Sequence, residues 1–214
     1  MLLDRADGAL QGAFLNHSTA WTRIADSPDG RWRATTSGDG LISIWTTDGP
    51  AGPLAQSDAA PPPVDKAVLA AHPTGATVAR DGGAGAAYVT PDGERRILSG
   101  HRGKVTAAAI EKGGEVVATG GADGRVIIRN AANGAALGVI DVGCGAVLDT
   151  FFAKGGAALL ARCDEGETHV FDVKERRRLL KLPTGDAERM TLLEDESGLL
   201  MATSEGVFSW ALQP

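Results

Sequence analysis

Glycine recurs in this chain at intervals that repeat, and this restricts the possible folds more than any other feature. Five short turn signals follow one another: SPDG at 27–30, HPTG at 72–75, EKGG at 111–114, AKGG at 153–156 and DESG at 195–198. Their last glycines, Gly30, Gly75, Gly114, Gly156 and Gly198, lie 45, 39, 42 and 42 residues apart. A second glycine comes ten residues later in four units, at Gly40, Gly85, Gly124 and Gly166, and eight later, at Gly206, in the fifth. Although 29 of the 214 residues are glycine, chance placement does not give four similar intervals together with an internal offset. A period near 42 residues means a repeat architecture, in which each unit buries its apolar face only against its neighbours.

Each unit predicts three strands and a weaker fourth. In the third, KVTAAAI precedes the EKGG turn, EVVATGG follows it, and RVIIRN follows a second turn at ADG. These runs are short, rich in Val, Ile and Thr, and bounded by Gly, Asp and Asn, which are strand and hairpin signals. The run after the second glycine reads LISIW, AAYVT, RVIIR, ETHVF and VFSW through the five units. No segment sustains a 3.6-residue period, so almost no helix is expected. Four antiparallel strands per 42 residues is the blade of a β-propeller.

The third unit, GHRGKVTAAAIEKGGEVVATGGADGRVIIRN at 100–130, resembles a WD-repeat blade. Gly100 and His101 stand for the family's Gly-His pair, and His101 precedes Gly114 by 13 residues, as His17 precedes Gly30. Trp45 falls at the family's Trp position, which holds Thr90, Arg129, Phe171 and Trp210 in the later units. The resemblance implies an all-β, WD-repeat-like propeller of five four-stranded blades. It would occupy 1–214 as a single domain, with units at about 16–57, 58–100, 101–141, 142–183 and 184–214. The chain ends on the third strand of the fifth unit, so residues 8–15 are expected to supply its fourth strand and close the ring. Most members of the family have seven blades, so five is a departure; the alternative is an open ring completed by a partner chain.

In such blades a His, a Ser or Thr, an Asp and the Trp form a hydrogen-bonded relay. By position the first unit offers His17, Thr35, Asp39 and Trp45, and the third offers His101, Thr119 and Asp123. Arg129 replaces the Trp there and cannot accept a hydrogen bond, so that relay is broken or rewired. In the fourth unit Gly143 and Glu165 hold the His and Asp positions. His17, Asp39 and Ser37 might be taken for a catalytic triad, but recurrence at blade spacing marks them as structural bracing, and no catalytic residue is expected.

Other candidates fail. GHRGKV at 100–105 lacks the spacing and the Ser or Thr of a phosphate-binding loop. DGGAGAAY at 81–88 lacks the third glycine of a dinucleotide fingerprint. His72 and His169 have no ligand partner at metal spacing, so neither metal nor cofactor is expected. Net charge of −6 argues against a nucleic-acid partner. No stretch approaches 18 apolar residues, and the first residues lack a signal-peptide pattern, so a cytoplasmic or otherwise intracellular location is expected. Cys144 and Cys163 flank the turn at 154–156 and could face each other across neighbouring strands, but two small reduced core thiols are expected. The segment 50–65 reads as an outer loop too polar to pack. The basic run around Arg176, Arg177 and Arg178 reads as charge that protects an exposed edge strand.

The function implied is a non-catalytic interaction scaffold or adaptor, a subunit that binds other proteins on the loop face. The candidate partner-binding residues lie four positions after the repeat His: Trp21, Lys66 and Arg189, with Val105 and Val147 at the same place. The alternative is a five-bladed glycosidase-like or lectin-like ring. A glycosidase needs two carboxylates in a cleft, for which Asp81 and Asp149 are the strand-borne acids, and a lectin's repeated aromatics are not seen.

Overall fold

The structure, a computed structural model, describes residues 2–3, 10–12, 21–26, 32–37, 42–46, 55–57, 69–71, 77–80, 86–89, 94–187, 189–193 and 197–211. Among these, every regular element is a strand. Leu2–Leu3 (β1) pairs with Leu10–Gly12 (β2). Trp21–Asp26, Trp32–Ser37, Ile42–Thr46 and Ala55–Ser57 (β3 to β6) form the first four-stranded sheet. Leu69–Ala71, Thr77–Arg80, Ala86–Val89 and Arg95–Leu98 (β7 to β10) form the second. The third consists of Val105–Ile110, Val116–Gly121, Arg125–Asn130 and Ala136–Asp141 (β11 to β14). Val147–Ala153, Ala158–Cys163, Glu167–Asp172 and Arg178–Pro183 (β15 to β18) make the fourth. The fifth has three strands, Arg189–Leu192, Gly198–Thr203 and Gly206–Ala211 (β19 to β21). Each sheet is an antiparallel meander, with strands paired in chain order.

The 42-residue period extends to individual hydrogen bonds. Ala122 N donates to Lys104 O at 2.8 Å, and Asp164 N to Ala146 O at 3.0 Å. Val142 N donates to Gly124 O at 3.0 Å, and Thr184 N to Gly166 O at 2.9 Å. The turn glycines are required at these positions. Gly124 and Gly166 have φ of 70° and 78°, and a Cβ on Gly124 would collide with the carbonyl oxygen of Cys144. The first strand is bulged one residue after its start in three sheets, at Trp21/Arg23, Val105/Ala107 and Val147/Asp149. A bulge re-aims the strand end where the chain enters the sheet.

Packing joins sheet to sheet. The first strands are neighbours in succession, β3 beside β7, β7 beside β11, β11 beside β15 and β15 beside β19. Between the third and fourth sheets, Ala118, Val126 and Ile128 meet Leu159 and Phe171, all buried. Leu160, Val170, Met190 and Leu199 fill the next interface, and Tyr88, Leu98, Val105 and Val117 the previous one. Central strands such as β13 and β17 are buried along four consecutive residues, because each sheet is covered on both faces. That explains why their sequences are apolar runs and not alternations.

Two expectations about the strands differ from the structure. Ala55–Ser57 lies in the segment expected to be an unpacked loop, yet it pairs with Ile42, Ser43 and Ile44 as the fourth strand of the first sheet. Edge strands carry one exposed face and tolerate polar residues such as Gln56, so polarity alone does not exclude a strand. Among the described residues the N-terminal strand does not complete the last sheet: Leu10–Gly12 pairs with β1, β21 remains an edge, and the sheets do not close. A hairpin within the first twelve residues costs far less loop-closure entropy than pairing with a strand at the other end of the chain.

Candidate functional site

The third sheet carries the most complete polar constellation. His101 precedes β11, Thr119 lies in β12, and Asp123 sits in the turn that Gly124 allows between β12 and β13. The side chain of His101 is fully buried and that of Asp123 is nearly so. His101 Nδ1 lies 3.0 Å from Asp123 Oδ1, and Nε2 lies 3.0 Å from Thr119 Oγ1. A carboxylate only accepts, so in the neutral ring Nδ1 carries the proton and Nε2 accepts from the Thr119 hydroxyl. Asp123 also accepts from the amides of Arg102 at 2.8 Å and Arg125 at 3.3 Å. Burial raises the Asp123 carboxyl, but the Arg102 amide and the His101 ring outweigh it and hold the group below its ordinary value.

Because the folded value is depressed, this stabilisation is present above the unfolded value of about 3.9 and disappears as pH falls through the folded one. Asp123→Asn should therefore melt below wild type at neutral pH and show a flatter decline on acidification. Thermal melts of both proteins from neutral pH to about pH 2 measure this, and parallel curves would contradict it.

Arg129 takes no part in the relay. Its side chain, buried in β13, donates to Ser99 O and, at 3.3 Å, to Gly134 O, while burial lowers its basicity. It braces the connection that enters the sheet in place of the expected Trp.

In the fourth sheet a covalent link spans the same gap. Displaced by 42, His101 becomes Gly143 and Thr119 becomes Ala161, so no relay is possible. Glu165 is exposed, and the neighbouring Asp164 accepts the Ala146 amide at 2.9 Å. Cys144, beside Gly143, forms a disulfide with Cys163 at the end of β16, with Cα atoms 6.0 Å apart. The expected reduced thiols are thus paired, at a separation typical of disulfides. Cys163 corresponds to Gly121, where a Cβ would press on the His101 ring. In both sheets, then, the segment entering the first strand is tied to the end of the second.

His169, in β17, is buried with Nδ1 3.0 Å from Val142 O and Nε2 3.4 Å from Glu167 Oε2. Lys181 Nζ lies 2.6 Å from Glu167 Oε1, and this hydrogen bond, ahead of the one from His169, holds the Glu167 carboxyl below its usual range. Among the described residues, no group of three His, Cys, Asp or Glu is placed to hold a metal.

The remaining candidates are placed by backbone alone or lie elsewhere. Thr35 is buried in β4, and Trp45 lies in β5. Trp21 is the first residue of β3 and Arg189 the first of β19, as Val105 and Val147 are the first of β11 and β15. His17, Asp39, Lys66, His72 and Asp81 fall outside the described residues. Asp149 lies in β15 with Oδ1 accepting the amide of Thr150 at 3.0 Å.

Meandering sheets stacked through their first strands, with the third and fourth braced at their entries, define a blade-type repeat architecture. The sequence model of the family described as WD domain, G-beta repeat, matches residues 8–46 and 93–130. Residues 8–46 and 93–130 are therefore repeats of the WD family. No curated protein matches it. WD repeats generally mediate protein–protein interaction and typically serve as non-catalytic scaffolds.

Proposed function

We propose that this protein is a non-catalytic scaffold or adaptor subunit whose partners dock on the loop face where the first strands begin. The observation that supports this is the common position of Trp21, Val105, Val147 and Arg189, each the first residue of the first strand in its sheet. These starts are separated by multiples of 42 residues, so one end of the stacked sheets gathers them. Trp and Arg are favoured anchors of protein interfaces, and Lys66 would join them from the second unit. Affinity capture of partners from the source cell, read by mass spectrometry, tests the reading. A stoichiometric protein should be retained by wild type and reduced at least about tenfold by Trp21→Ala with Arg189→Ala. Equal capture by that variant would reject the site.

The finer architecture belongs to the same proposal. Five units form an open, propeller-like ring whose three-stranded fifth sheet leaves β21 as a six-residue edge, with Val207, Phe208 and Trp210 exposed on it, that a second chain completes. Light scattering should give wild type a mass above that of one chain. A wild-type monomer would reject a ring completed by a second copy.

A further inference from the structure

A groove of about 220 Å3 opens at the outer rim between the third and fourth sheets. Val116, Ile128, Leu137 and Gly138 form one wall, and Val173, Lys174 and Arg176 the other. We infer that it receives an extended segment of a partner protein in which a large apolar side chain stands next to carboxylates, at a site separate from the loop face.

The apolar part of the argument rests on the floor and lip. Ile128 belongs to the buried core between the two sheets, with Val116 and Val173 packed against it, so the groove leads into a dry interior. Leu137 and Val139, two residues apart on the edge strand β14, are each about half exposed. The volume falls below the 300 to 1,000 Å3 of a typical small-molecule pocket, at roughly the scale of one or two side chains.

The rim determines the charge of the occupant. Residues 174–181, KERRRLLK, hold five cations and one acid in a chain of net charge −6. Some of that charge is used, since Lys181 pairs with Glu167. Arg176 donates to Leu137 O at 3.1 Å, and its side chain lies across Gly138, where a Cβ would come within 2.6 Å of its guanidinium. It does so from a backbone φ of 53°, a conformation costly for a residue with a side chain. The hydrogen bond to Leu137 O holds Arg176 in the groove wall. Lys174 and Arg177 are exposed beside it, and no described carboxylate lies within ion-pair distance of either. An apolar slot bordered by fixed and free cations complements an acidic segment with an apolar anchor. Cations here also steer such a segment during encounter.

The test selects binders of the full chain from a displayed library of random dodecapeptides and measures the best by fluorescence polarisation. The expected sequences carry Asp or Glu beside Leu, Ile or Phe. Lys174→Glu with Arg177→Glu should weaken them at least about tenfold, and Leu137→Ser should also weaken them. Both Lys174 and Arg177 are exposed, so the melting temperature should not change. A peptide with its acids replaced by Lys should bind the Glu variant better than the wild type. Trp21→Ala with Arg189→Ala should leave peptide binding intact, which separates this site from the loop face. The inference is overturned if selected peptides lack the acidic-apolar pattern or bind the Glu variant equally well. It is also overturned if the wild type binds vesicles of phosphatidylcholine and phosphatidylserine through these cations and selects no peptide.

Discussion

Phe171→Ala should cost this protein about 3 to 5 kcal/mol, the range for deleting a buried aromatic side chain from a close-packed core. Phe171 stands at the repeat's Trp position in β17, is 3% exposed, and fills the interface between the third and fourth sheets with Leu159, Val126 and Ile128. Its loss leaves a cavity that the neighbouring sheets fill only in part, since each is held by its own ladder. In a stack where units contact only their neighbours, a weak interface lowers the cooperativity of the whole. Urea unfolding followed by Trp fluorescence measures both the midpoint and the slope. Glu115→Ala is the control: Glu115 is exposed in the turn between β11 and β12, so its replacement should change stability by no more than about 0.5 kcal/mol. A Phe171→Ala variant as stable as that control would mean that the interface is not as described.

Reduction of the Cys144–Cys163 disulfide should be the other large effect. The cysteines are 19 residues apart, and opening a loop of that size removes about 3 kcal/mol by the chain-entropy account. Native protein alkylated without reductant should gain no mass. After a dithiol reductant takes the bridge to two thiols, it should gain two labels and melt at a lower temperature. The fourth sheet lacks the His, Thr and Asp of the third, so beside the disulfide its entry segment is tied to the end of β16 by the hydrogen bonds between Asp164 and Ala146. Cys163→Ser should therefore reproduce the effect of the reductant and be insensitive to it. Labelling of both cysteines in the native protein would contradict the pairing.

Much of the fold can be read from the sequence because turns carry their chemistry locally. Gly114, Gly124, Gly156 and Gly166 mark the hairpins of the third and fourth sheets, and each has positive φ. The disulfide was harder to read. The cysteines straddle a turn symmetrically, but their pairing depends on register, and the bulge at Val147/Asp149 shifts that register by one residue. The useful signal was comparative: Cys163 stands where the third unit has Gly121, against which the His101 ring packs. In the fourth sheet the acceptor is Asp164, one residue before the repeat position that Glu165 holds, and the repeat spacing alone does not point to it. The short strand Ala55–Ser57 was hidden by its polar composition. For the loop face, the sequence and the backbone agree only that Trp21 and Arg189 begin their strands.

The polar links between neighbouring sheets mostly end on backbone. Arg96 donates to Ala131 O, Arg129 to Ser99 O, Arg162 to Ala187 O and Arg176 to Leu137 O. Thr106 reaches Val147 O and His169 reaches Val142 O in the same way. A carbonyl oxygen is present whatever side chain the residue carries. Each repeat can therefore change its residues without depriving its neighbour of an acceptor, and the units of one chain are free to diverge in sequence while the stack survives. A second unit with few motif residues and a fourth with a disulfide in place of a histidine are what such tolerance allows.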